Sequence, residues 1–379
     1  MLTYFAIFVS LIYIILLFNN LKLGIKFLLF LYFFIPPTIN ILDISGFPLI
    51  SLRRILLLIT IVFYLIQRKN NKDNSEPDRF PYLDSIYIIY FGYLIVSLNA
   101  GPLMTASLFY THSLILDCLS LSLVVYRVFI NKSDIDELIN IIILSFTLIA
   151  FYGIIESLMN SNPFVEFFLT DISDSSRNLL YSYCDHVRAG IFGRAQSTFT
   201  HPISYGAHLA IVTPLILYRL GVGKGMNKIY FSTLLLLIVL NIVLTNSRSP
   251  LIFFIVVMIP YVLLKRKKFI FLVFVPFIFL ILIEFQPSLL KSGYVDTIYS
   301  AVTLGTSENS YNVGGSSLEM REYQLLASLS YFSQTPIFGQ GATRIKEIIA
   351  LHSDSQLSGA ESFIFELLIE TGIVGFVMF

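Results

Sequence analysis

Tryptophan is absent from the 379 residues, and only 13% of them are charged. The first absence leaves any interfacial aromatic belt to the 22 tyrosines. The second, beside a 56% hydrophobic composition and a mean hydropathy of +0.79, excludes a soluble domain of this length. The two cysteines, Cys118 in an apolar run and Cys184 in a polar loop, form neither a disulfide framework nor a CxxC metal signature, and they read as unpaired thiols. No histidine pairs at i,i+4 with a supporting carboxylate as in a zinc site, so no metal and no cofactor is expected. His112, His186 and His208 stay unassigned. Internal repeats and low-complexity tracts are also missing, and 69–78 reads as a solvated connector. A net charge of +1 says little, because placement of Lys and Arg outweighs their sum in lipid, and no nucleic-acid partner is expected.

What the chain does have is apolar runs recurring almost end to end. Runs of membrane-crossing length fall at 2–18, 23–38, 50–67, 82–98, 107–128, 138–158, 203–219, 229–245, 249–264, 269–286 and 364–379. The fold class is therefore all-α, a polytopic transmembrane helical bundle of about 11 spans. Residues 1–18 lack a small-residue cleavage site and read as a membrane segment, not a removed signal peptide. The last run stops at Phe379 with barely enough length to cross, which leaves room for further helices beyond it.

Basic clusters at Arg68/Lys69/Lys72, Arg127/Lys132, Arg219/Lys224/Lys228 and 265–268 all fall on one side if these spans alternate, which marks that side as cytoplasmic. The long polar segments 159–202 and 287–363 then both face outward. The chain divides accordingly into N-terminal transmembrane helices (1–158), an extracytoplasmic loop (159–202), central transmembrane helices (203–286), a large extracytoplasmic loop carrying short amphipathic helices (287–363) and the start of a further span (364–379). Counting back places Met1 outside and Arg53 and Arg54 at the outer face, against the usual bias, so a re-entrant or interfacial piece around Pro36-Pro37 is an alternative.

Chemistry at a membrane face needs water and polar substrate, so the outer loops are where a site belongs. Three stretches stand out. In 193–202, Arg194 precedes His201-Pro202 and a helix carrying Tyr205, Gly206 and His208; it suits a bidentate phosphate contact near a helix start, or a pairing with a carboxylate such as Asp185. In Thr245-Asn246-Ser247-Arg248-Ser249-Pro250, Arg248 sits in a short break between two apolar spans, where an arginine is costly unless it has a partner or snorkels. The third runs from Glu319 to Gly372. Leu325, Leu326, Leu329 and Phe332 share one helical face, which predicts an amphipathic helix on the membrane surface with Arg321 near its start. Pro336, Gly339 and Gly341 then turn the chain. Glu361 opens the last span as either a general base or a helix cap. Asp117, Glu156 and Glu284 lie inside apolar runs without an obvious i±4 partner and read first as structural groups of the bundle interior.

Taken together, RAQSTFTHPISYGAHLA, TNSRSP, MREYQLLASLSYFSQTPIFGQGATR and AESFIFELLIETGIVGF resemble the O-antigen ligase and polymerase superfamily over residues 190–379. The resemblance implies metal-independent glycosyl transfer in the bacterial inner (plasma) membrane, with the active site on the extracytoplasmic face. The implied donor is an oligosaccharide on undecaprenyl diphosphate, the surroundings are membrane lipid, and a chain-length regulator protein is a candidate partner. Arg194, Arg248 and Arg321 match the family's arginines that hold the diphosphate; His201, Tyr205 and His352 join Arg194 as expected substrate contacts. Ligases of the family usually carry His-Asn where this chain has Glu361-Ser362, which favours a polymerase of lipid-linked repeat units. A ligase acting on lipid A core is the alternative, with His352 nearby to compensate, and a polysaccharide transporter or flippase is the second alternative.

Overall fold

The computed structural model describes residues 2–35, 40–42, 50–70, 89–90, 92–93, 115–169, 193–264, 318–351 and 363–378. They fall into two compact units: one of 1–41, 51–53 and 129–315, the other of 42–50, 54–128 and 316–379. Helix dominates throughout. The exception among the described residues is a minimal pair of strands, β1 (Asn40–Leu42) and β2 (Ile50–Ser51).

The first unit begins with a helical hairpin. Helix α1 (Leu2–Asn19) is apolar all round and stops at Asn20, whose extended backbone and side chain cap α2 (Leu21–Tyr32) by accepting from Lys22 N at 2.9 Å and Leu23 N at 3.3 Å. Helix α2 does not run on to 38. Its 12 residues rise about 18 Å, well short of a bilayer core of roughly 30 Å. Helix α3 (Leu52–Asn70) follows, its first two residues in this unit.

Four longer helices form the body of the unit: α5 (Lys132–Met159), α7 (Pro202–Val222), α8 (Met226–Leu244) and α9 (Arg248–Leu264), with a short α6 (Pro163–Leu169) after α5. Phe146 and Ile149 of α5, Leu209 and Ile216 of α7, Ile238 and Ile242 of α8, and Phe254 and Met258 of α9 make one buried core. The reverse faces are apolar too, with Leu144, Phe151, Ile211, Leu236 and Val256 exposed. Helices apolar on both faces belong in lipid. Among the described residues α5, α7 and α8 are long and apolar enough to cross a membrane, and Tyr4–Asn19 and Arg248–Pro260 are shorter apolar helices. This is a membrane protein. Of the expected runs, 269–286 lies outside the described residues, as does most of 82–98.

The two ends of this unit differ chemically. At the start of α5, Asp134 pairs with Lys22 at 2.8 Å, Glu137 with Lys26, and Asp136 with Arg219 at 3.0 Å. The N-termini of α2 and α5 therefore lie together with the C-terminus of α7. The opposite end carries the polar loop at 193–201 and the break between α8 and α9.

In the second unit, the rest of α3 is joined by a π-helical stretch (Ile115–Ser120) leading into α4 (Leu121–Val128), and by α10 (Leu318–Gln334), α11 (Arg344–Leu351) and α12 (Phe363–Met378). Asp117 has its partner in a distant helix: Arg54 Nη2 donates to its Oδ2 at 3.0 Å. Helix α10 covers the stretch expected to be helical. Leu325, Leu326 (56% exposed) and Leu329 face outward while Gln324 and Ser328 are buried, an arrangement suited to contact with lipid.

Helix α12 breaks at Gly372, whose φ of 66° and ψ of −170° are not helical. The backbone groups this frees are taken up by the turn that follows α10. Gln340 N donates to Ile369 O at 2.8 Å and Gly341 N to Glu370 O at 3.0 Å, while Ile373 N donates to Pro336 O at 2.9 Å. Tyr93 adds its hydroxyl on Thr371 O. The chains cross at Gly339 and Gly372, where a Cβ on either would overlap the other segment's backbone.

Candidate functional site

The loop end of the first unit gathers two of the three polar stretches that the sequence singles out, 193–202 and 245–250. The chain passes from α5 into a left-handed Asn160 (φ 52°), which lets Asn162 turn back beneath Glu156. Glu156, 4% exposed, accepts from Asn162 Nδ2 at 2.7 Å, Gln196 N at 3.1 Å and Ser197 N at 2.6 Å. A buried carboxyl group whose two oxygens take three N–H donors is a well-satisfied anchor for the loop. Asn162 also donates to Ser197 O at 2.8 Å and receives the Tyr152 hydroxyl at 2.8 Å. Around this anchor Ser197 holds φ at 53°, and Thr198 reaches across to the carbonyl of Phe33 at 2.6 Å, just past the end of α2.

Arg194 leaves the same loop in the other direction. Its Nε donates to Thr245 O at 2.9 Å and its Nη2 to Ser247 Oγ at 2.7 Å. Ala195 N adds a bond to Leu244 O at 3.0 Å, so the loop is stitched along the C-terminus of α8. Orphan carbonyls at a helix end are satisfied in this way. Thr245, Asn246 and Ser247 are buried, Asn246 with a left-handed φ of 48°, and the half-buried Arg248 follows directly as the first residue of α9. Gly206 lets α7 close on α9, since a Cβ there would come within 2.6 Å of Pro250 Cβ.

The other sequence candidates take distinct places. His201 caps α7, its Nδ1 accepting from Ile203 N at 3.1 Å ahead of Pro202. Tyr205 is in the core at 0% exposure, its hydroxyl on Asn241 Oδ1 at 2.9 Å, with Asn241 in turn donating to Ala150 O at 2.9 Å. Arg321 lies in the first turn of α10, in the second unit. Glu361 and His352 lie outside the described residues. The structure thus ties Arg194 to the break that presents Arg248. It also adds two polar residues that sequence reasoning left out of the site, Glu156 and Asn162; a lone carboxylate in an apolar run was the available signal. Among the described residues no group of three His, Cys, Asp or Glu side chains could hold a metal ion.

Residues 233–379 match the family model described as O-Antigen ligase. The match takes in less than half of the chain and supports a likeness to the O-antigen ligase and polymerase superfamily. The matched region takes in most of α8, the break with Arg248, and the helices α9, α10, α11 and α12; Arg194, His201, Tyr205 and Glu156 precede it. Searches of curated proteins and of solved structures return no match.

Proposed function

We propose that the chain is a polymerase of lipid-linked oligosaccharide repeat units for O-antigen, capsule or exopolysaccharide. In this reading the ion-paired end of the first unit is cytoplasmic, following the bias of Lys and Arg toward that side, and the loop end is extracytoplasmic in an inner membrane crossed about 11 times. The growing glycan leaves undecaprenyl diphosphate as a hydroxyl oxygen of the next lipid-linked unit bonds to its anomeric carbon with inversion. Glu361 takes the hydroxyl proton, the diphosphate departs with the bonding electron pair, and the guanidinium groups of Arg248 and Arg321 stabilise its growing charge. Arg194, His201, Tyr205 and His352 contribute to holding the substrate in this reading.

The observation that supports this most directly is the pair of bonds from Arg194 to Thr245 and Ser247, which fixes the residues immediately before Arg248. Arg248→Ala is expected to abolish long-chain polymer while the protein stays in the membrane; persistence of the full chain-length ladder refutes the role.

A second reading, in keeping with the description of the matching family as O-Antigen ligase, is a ligase; its acceptor in this reading is lipid A core. A deletion strain distinguishes them. Loss of a polymerase leaves a single repeat unit on the normal acceptor, whereas loss of a ligase accumulates lipid-linked polymer and attaches none.

A further inference from the structure

Arg53, the second residue of α3, is a cation in an unusual position. Its guanidinium carbon lies 3.5 Å from the centroid of the Tyr32 ring. Tyr32 ends α2, and the neighbouring Phe33 carbonyl receives Thr198 of the polar loop. Arg53 is also within electrostatic reach of His208, whose ring packs 4.8 Å from Phe199 of the same loop. The side chain therefore stands at the loop end, on the flank opposite the one that Arg194 stitches to α8.

Arg53 Nε is buried with no hydrogen-bond acceptor. The other basic groups of this unit with described ion pairs are satisfied differently: Lys22, Lys26 and Arg219 each hold a carboxylate. Arg219 also leaves Nε without an acceptor, but its two terminal nitrogens are both held by Asp136. A desolvated donor without an acceptor is a cost to the fold. Stacking on Tyr32 fixes the plane of the guanidinium, whose Nε side is buried while the residue as a whole is half-buried. A planar fork held in this way at the loop end, with no carboxylate paired to it among the described residues, suits a group with several anionic oxygens.

We propose that Arg53 is a binding residue for the phosphate oxygens of a prenyl diphosphate, the leaving group of the lipid-linked donor. This rests on the function proposed above and adds to it a cation from outside the region that matches the family. Arg53 pre-places one edge of the diphosphate next to the 193–201 loop before Arg248 engages.

The test uses the purified full chain in phosphatidylcholine nanodiscs, titrated with farnesyl diphosphate. Arg53→Ala is expected to weaken binding by about tenfold or more, Arg53→Lys to recover part of the loss, and Lys228→Ala, an exposed residue beyond the ion-paired end of α7, to match the parent protein. If Arg53→Ala and Arg53→Lys both bind like the parent while Arg248→Ala does not, the inference is wrong and the polymerase reading survives. If the parent protein binds no farnesyl diphosphate, or Arg248→Ala binds it undiminished, the polymerase reading fails first and takes the inference with it. A parallel arm replaces part of the phosphatidylcholine with phosphatidylglycerol. Loss of retained phosphatidylglycerol in Arg53→Ala, with farnesyl diphosphate affinity unchanged, assigns Arg53 to lipid headgroups and overturns the proposal.

Discussion

Arg194 donates from Nε to the carbonyl oxygen of Thr245 across 2.9 Å, joining residues 51 positions apart in sequence. With its second bond to Ser247 it spans the break between α8 and α9, its planar fork holding both bonds in one fixed geometry as a shorter-reaching, freely rotating ammonium does not. Arg194→Lys is therefore expected to behave much like Arg194→Ala. Both should lower polymer yield about tenfold or more, with the loss in kcat exceeding any change in KM for the donor. A Lys variant of full activity in a quantitative ladder assay contradicts the strut.

Glu156 anchors the other side of the same loop. Glu156→Ala leaves the N–H groups of Gln196 and Ser197 and the Asn162 amide without their buried acceptor, a loss of about 3 kcal/mol in stability. Glu156→Gln keeps an oxygen for the two backbone donors but turns an amide toward Asn162, so a smaller loss is expected. Melting in detergent with proteolysis across 193–201 measures both; equal melting of Ala, Gln and parent proteins removes the anchor from the account.

The crossing of Gly339 and Gly372 leaves no room for a methyl group, and both residues hold positive φ, 74° and 66°. Alanine at either position is expected to cost about 2–4 kcal/mol. The readout is the amount of folded protein recovered after mild detergent extraction, and parent-like recovery of both variants excludes the tight crossing.

The outward leucines of α10 make a separate prediction about its surroundings. With Cys118 and Cys184 replaced by serine, a spin label at Leu326→Cys is expected to be relaxed more by oxygen than by a water-soluble nickel chelate. The reverse order places α10 in water.

The apolar helices α5, α7, α8 and α9 were legible because uninterrupted runs of that length have no soluble alternative. Their ends were less so. Helix α5 begins at Lys132, six residues before the apolar run at 138, capped locally by Asn131 and Asp134, and the partners of Asp134, Asp136 and Glu137 in α2 and α7 are ones that no local pattern reveals. Distance in sequence hid the rest as well. Asp117 meets Arg54 across 63 positions, and Glu156 meets Ser197 across 41. Gly372 sits in a run that reads as plain helix, and only the turn at 336–341 explains why the helix breaks there. The helix of α10 was legible from its periodicity, while the burial of the polar Gln324 and Ser328 and the outward turn of its leucines were not. For the site, residue type flagged Arg194 and Arg248, but not that one braces the segment carrying the other.

The most direct test is elongation by purified protein in proteoliposomes, supplied only with undecaprenyl-diphosphate-linked repeat units and followed by gel ladder. The account predicts stepwise polymer from the parent protein and none from Arg248→Ala at equal reconstitution. Polymer of normal length from Arg248→Ala, or none from the parent in the presence of intact donor, contradicts it.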